Sequence, residues 1–98
     1  MTKLVILDFF AEWCAPCQSL SPVLEKVAEH YADKGVILVK VDVDKETFIS
    51  QQFQIRSMPT VFAIVKGKPV ANITDARTIP HVSNLVEKLL TEHGIAAI

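Results

Sequence analysis

The chain has 98 residues, half of them apolar, with ten basic and eleven acidic side chains for a net charge of -1. That length suits one small domain with a single core, spanning the whole chain. The charge balance excludes a nucleic-acid binder that relies on a broad basic face, and no apolar run approaches the ~20 residues that cross a bilayer.

The first apolar run, Lys3 to Phe9 (KLVILDF), is apolar at both parities except for Asp8, the pattern of a strand buried on both faces. Asp8 also breaks the run as a leader peptide, and no small-residue cleavage site follows, so a cytoplasmic location is expected. From Pro16 to about Asp33, Leu20, Val23, Leu24, Val27, Ala28 and Tyr31 recur at spacings of three and four, which predicts an amphipathic helix closed by Gly35. Pro22 inside it predicts a kink, or a new segment capped by Ser21. Val36 to Val43 (VILVKVDV) reads as a second strand. A short helix is expected from about Lys45 to Phe53, with Asp44 as its cap. Thr60 to Val65 and Pro69 to Thr74 read as a hairpin around Lys66-Gly67-Lys68. Thr78 is placed to cap a last helix whose stripe is Val82, Leu85, Val86, Leu89 and Leu90, with Gly94 closing it.

The order is βαβαββα. A right-handed first crossover gives parallel strands and the hairpin adds antiparallel ones, so the expectation is an α/β fold with a mixed four-stranded sheet and helices on both faces. The pattern leaves the strand order open.

Both cysteines lie in WCAPC, Trp13 to Cys17, between the first strand and the first helix. At a helix N-terminus, free N–H groups and the helix dipole favour negative charge, so Cys14 is expected to ionise more readily than a free thiol. Cys17 follows one turn later. Cys14 can attack an outside disulfide, and Cys17 can attack the mixed disulfide that results. Two electrons move and no cofactor is needed. Two other readings stand beside this one. CxxC is half of a zinc site, within one chain or bridging two, although no second pair is present and His30, His81 and His93 fall on other predicted helices. The pair could also be two inert core thiols.

Asp8-Phe9-Phe10-Ala11-Glu12-Trp13-Cys14-Ala15-Pro16-Cys17 resembles the active-site segment of the thioredoxin family. Ile55-Arg56-Ser57-Met58-Pro59-Thr60 is similar to that family's cis-proline loop, Val39 to Asp44 to its central strand, and Lys66 to Val70 to its hairpin. The likeness runs from Lys3 to about His93. It implies a thioredoxin fold and a thiol–disulfide oxidoreductase, a redox carrier that reduces protein disulfides. Cys14 would be the nucleophile and Cys17 the resolving thiol. Asp8 would accept the proton of Cys17, which agrees with the raised pKa of a lone carboxylate in an apolar strand. The alternative reading of Asp8, compatible with the first, is a structural ion pair with Lys40, the lone charge of its own apolar strand, which would then lie inward near it. Trp13, Ala15, Pro16, Met58 and a cis Pro59 would form the substrate-facing surface. The implied partners are protein disulfides and a flavoprotein reductase, with no nucleic acid, membrane, metal or added cofactor. A binding or chaperone-type module on the same fold, and an oxidase or isomerase, are the competing readings.

The sequence departs from the family pattern at Ala15, where Gly is usual, at Phe10 for Trp, and at Asp75 for Gly. The family's first strand and helix have no counterpart before Lys3. In the family that strand lies beside the one matching Val36 to Val43, so VILVKVDV is expected at a sheet edge. There it is open to self-association, or to cover by another segment such as the apolar tail Ile95 to Ile98.

Overall fold

The computed structural model describes residues 2–96. Its elements are β1 (Leu4–Phe10), α1 (Ala15–His30), β2 (Val36–Asp42), α2 (Thr47–Gln52), β3 (Thr60–Val65), β4 (Lys68–Asn72) and α3 (Ile79–Glu92). The order is the one expected from pattern. The sheet runs β2-β1-β3-β4, with β1 parallel to β2 and antiparallel to β3, and β4 antiparallel to β3.

Side chains alternate across β1 and so supply two cores. Leu4 and Ile6 face α1 and α3 and join Leu20, Leu24, Val27, Val61, Ala63, Val82, Val86 and Leu90 in the main cluster. Leu7 and Phe9 face α2 and pack with Val41, Ile49, Phe53 and Phe62. Phe9 contacts Phe53 and Phe62 at ring-centroid distances of 5.2 and 6.2 Å. The helices therefore lie on both faces. Asp8 belongs by alternation to the α1 face, where every β1 neighbour is apolar. The Tyr31 hydroxyl donates to Glu87, tying the end of α1 to α3.

Several local expectations are corrected. Pro22 does not divide the first helix: α1 is continuous across it, and the Ser21 hydroxyl donates to Glu25 instead of capping a new segment. The helix itself ends at His30, and a 3-10 turn, Ala32–Lys34, precedes Gly35. At φ 94° Gly35 takes the left-handed turn into β2 that a side chain would disfavour. Asp44 is not the cap of α2. Asp42 Oδ1 accepts from Asp44 N at 2.9 Å, and this local turn delays the helix to Thr47 behind Glu46. The hairpin turn is Lys66-Gly67, both at positive φ, which suits the twist of paired strands. Thr78 does cap α3, its Oγ1 accepting from His81 N at 3.2 Å.

β2 lies at one edge of the sheet. Ile37 and Val39 are 41% and 40% exposed. By alternation they share the α2 face with Val41, but α2 is only six residues long and covers the end of the sheet nearer the cysteines. In the apolar tail, Ile95 N and Ala96 N bond to Leu90 O and both residues pack on the main core. Among the described residues no backbone bond joins the tail to β2. Ala97 and Ile98 lie outside the described residues. Within that span no helix is long and apolar enough to cross a membrane.

Candidate active site

The site forms where β1 gives way to α1. The chain leaves β1 at Phe10 and turns through Ala11 to Trp13, and Cys14 becomes the N-cap of α1 with extended backbone. Cys14 Sγ accepts from Cys17 N at 3.2 Å, filling the place a Ser or Asp oxygen takes at other helix starts. Pro16 sits in the first turn, where its missing N–H costs nothing. One turn of helix brings the Cα atoms of Cys14 and Cys17 to 5.3 Å, and the two sulfurs are bonded as a disulfide. Both residues are buried, as is Ala11, and Phe10, Val43 and Met58 pack against the three.

Burial does not distinguish the two cysteines; their surroundings do. Cys17, and not Cys14, lines a cleft of about 340 Å³ behind the disulfide, together with Asp8, Ser21, Pro22, Glu25 and Lys40. Asp8 is 2% exposed, and its Oδ1 has no hydrogen-bond partner among the described residues. Burial pushes the Asp8 pKa up from 3.8 to about 6; the Lys40 charge pulls against this rise and the Glu25 charge adds to it.

Lys40 stands opposite Asp8 in the β1–β2 register, but the expected pairing with Asp8 is not formed. Its Nζ donates to Ser21 Oγ at 2.5 Å and lies 3.4 Å from Glu25 Oε2 and 5.2 Å from the Phe10 ring centroid. A long, flexible stem lets the ammonium reach the cleft mouth while the backbone keeps its register. The Ser21 hydroxyl and Lys40 together lower the pKa of Glu25, the hydroxyl being the larger influence.

The outer surface gathers the other expected residues. Trp13 is 70% exposed, and its indole Nε1–H donates to Asp44 at 2.9 Å, fixing the ring beside the cysteines. Ala15 and Pro16 are exposed on the first turn of α1. Met58 is half-buried, and the Met58–Pro59 peptide is cis with Pro59 buried. Ser21, Glu25 and Asp44 were not singled out from sequence as site residues. The available signal was the Cys17, Ser21, Glu25 spacing of four, which places all three on one helix face. Among the described residues no group of three or more His, Cys, Asp or Glu is placed to hold a metal ion.

Chemically, this is a dithiol–disulfide pair with a buried carboxylate on the side of one sulfur and an apolar, aromatic surface around the other. Comparison with known proteins points the same way. The family model described as Thioredoxin matches residues 1–88. A thioredoxin of Coprinus comatus is 38% identical over 88 residues, covering 90% of this chain and 82% of that protein. A thioredoxin of Chlorobaculum thiosulfatiphilum is 41% identical over 91 residues, covering 93% and 80%. Among solved structures, the germline-specific thioredoxin Deadhead of Drosophila melanogaster superposes with a TM-score of 0.78 at 30% identity, over 89% of this chain and 81% of that one.

Proposed function

The chain belongs to the thioredoxin family and is a thiol–disulfide oxidoreductase acting on protein disulfides, and from that premise we propose that it works as a reductant in which Cys14 attacks and Cys17 resolves. The observation that carries the division of labour is that the Asp8 cleft opens on Cys17 alone of the two. The Cys14 thiolate attacks one sulfur of the substrate, breaking its S–S bond and releasing a first substrate thiolate. Asp8 takes the proton of Cys17. The Cys17 thiolate then attacks Cys14 Sγ, and the second substrate thiolate leaves. Two electrons pass to the substrate, the protein is left with the Cys14–Cys17 disulfide, and the sulfurs are its only redox groups. Trp13, Ala15, Pro16, Met58 and Pro59 form the surface on which an extended substrate lies. A flavoprotein reductase regenerates the dithiol, and the cytoplasm, where thiols are kept reduced, is the compartment that suits the direction.

The test is reduction of a soluble protein disulfide by the dithiol form, wild type against Cys14→Ser, together with the reduction potential measured against glutathione. Activity lost in Cys14→Ser and a potential below that of the glutathione pool support the reading. A potential well above it makes the protein an oxidant, and full activity in Cys14→Ser refutes the role of Cys14.

We also propose self-association through β2. Support comes from its edge position and from Ile37 and Val39 on one side of that edge; antiparallel pairing of two such edges satisfies backbone groups and covers those side chains together. Sedimentation at micromolar to millimolar concentration should show association in the wild type that is lost in Val39→Lys. A strict monomer whose β2 amides exchange as slowly as those of β1 overturns it.

A further inference from the structure

Three side chains at the mouth of the Asp8 cleft bond to one another. Ser21 Oγ donates to Glu25 Oε2 at 2.7 Å, Lys40 Nζ donates to Ser21 Oγ at 2.5 Å, and Lys40 lies 3.4 Å from Glu25. The hydroxyl thus joins cation to carboxylate as donor to one and acceptor from the other. Asp8, opposite Lys40 in register, is left with an unpartnered Oδ1. The charged and titratable groups that line the cleft with Asp8 are Cys17 and Glu25 from α1, Lys40 from β2 and Glu12 from the turn after β1, whose exposed carboxylate lies 3.5 Å from Lys45; β3 sets Val61 opposite Asp8.

We infer that Ser21 and Glu25 are positioning residues for the resolving step: they hold the Lys40 ammonium at the cleft mouth and keep it off Asp8, so that the carboxylate remains a strong enough base to take the Cys17 proton. An ammonium bonded to Asp8 would stabilise the carboxylate and weaken it as a base, whereas no ammonium at all would leave Asp8 hard to ionise. The clamp sets the position between these limits. In the step served, the Cys17 S–H bond breaks and its proton goes to an Asp8 oxygen. The Cys17 sulfur bonds to Cys14 Sγ, and the bond from Cys14 to the substrate sulfur breaks with its electron pair leaving on the substrate thiolate. The inference rests on the proposed role of Asp8.

The experiment separates the two. The Asp8 side-chain carboxyl carbon is titrated by NMR in the oxidised protein for wild type, Glu25→Gln, Lys40→Met and the double variant. Glu25→Gln removes a negative charge and frees the ammonium, so the Asp8 midpoint should fall by about half a pH unit. Lys40→Met should raise it. In the Lys40→Met background, Glu25→Gln should have half its effect or less, since no ammonium remains to be released. The rate of resolution of a mixed disulfide formed on Cys14 with a chromogenic aromatic disulfide should follow: Glu25→Gln slower than wild type above the midpoint, where Asp8 is ionised in both and is the weaker base in the variant, with the loss shrinking or reversing, to at most roughly threefold, on the acid side, where more of the variant's Asp8 is ionised. An unmoved midpoint in Glu25→Gln, or a shift of equal size with and without Lys40, overturns the clamp. If instead Asp8→Asn resolves at the wild-type rate throughout, the role of Asp8 fails while the NMR result for the clamp is read independently.

Discussion

Replacing Asp8 by Asn should stabilise the oxidised protein, by an amount that depends on pH. The carboxyl is lifted from 3.8 to about 6 by burial. Between those values the folded chain holds a proton that the unfolded chain has lost, so stability falls as pH rises through the window. At about 1.4 kcal/mol per unit, the fall amounts to about 3 kcal/mol as an upper limit. The adjoining cleft is roomy enough to admit water, which solvates the carboxylate in part and brings the expected difference to about 2 kcal/mol. Asn cannot ionise and escapes the penalty. At pH 7 the variant should melt roughly 10 °C above the wild type, given about 4–8 °C per kcal/mol for a domain of this size. As pH falls toward 3 the two curves should converge, because Asp8 then becomes protonated in both states. Thermal and denaturant unfolding followed by circular dichroism from pH 3.5 to 8 reads the difference directly. A gain that does not vary with pH, or a variant less stable than wild type at pH 7, refutes the burial argument.

Two further outcomes are expected. In Cys17→Ser, a mixed disulfide between Cys14 and a protein substrate should accumulate and be recoverable by mass spectrometry, and brief alkylation of the reduced wild type at neutral pH should label Cys14 before Cys17; adducts in the reverse order contradict the assignment. Leu24→Ala should cost about 3 kcal/mol in denaturant unfolding, because Leu24 is 1% exposed between α1 and the sheet and its removal leaves a cavity.

Much of the architecture was legible because each element carries its own signal. The both-parity apolar run of β1 announced a strand covered on two faces, and the stripes of α1 and α3 announced helices packed on one. The Cys14–Cys17 spacing and the lone Asp8 are local features and could be read at once. What could not be read depends on contacts between distant segments. Asp44 looked like a cap because a short acidic side chain preceded a helix, yet Asp42 had already closed the turn and Asp44 was free to take the Trp13 indole. Lys40 was expected inward near Asp8, and the register does set the two residues opposite each other, but backbone register says little about where a four-carbon stem sends its charge. The competing acceptors, Ser21 and Glu25, lie 19 and 15 residues away in sequence. Strand order did not follow from pattern at all, since an all-apolar strand fits a central position as well as several others.

Among the described residues, β1 alone is paired along nearly its whole length on both sides, with Val36–Asp42 on one flank and Thr60–Val65 on the other. Asp8 sits in its second half. Amides in such a strand exchange only when the whole cooperative unit opens, so the carboxylate cannot relieve its burial by fraying a terminus or swinging out a loop. The energetic penalty of keeping a base there is therefore borne by the domain as a whole. Destabilising substitutions remote from the cysteines, even in α3, should draw on the same reserve, coupling global opening to the group proposed to move the proton.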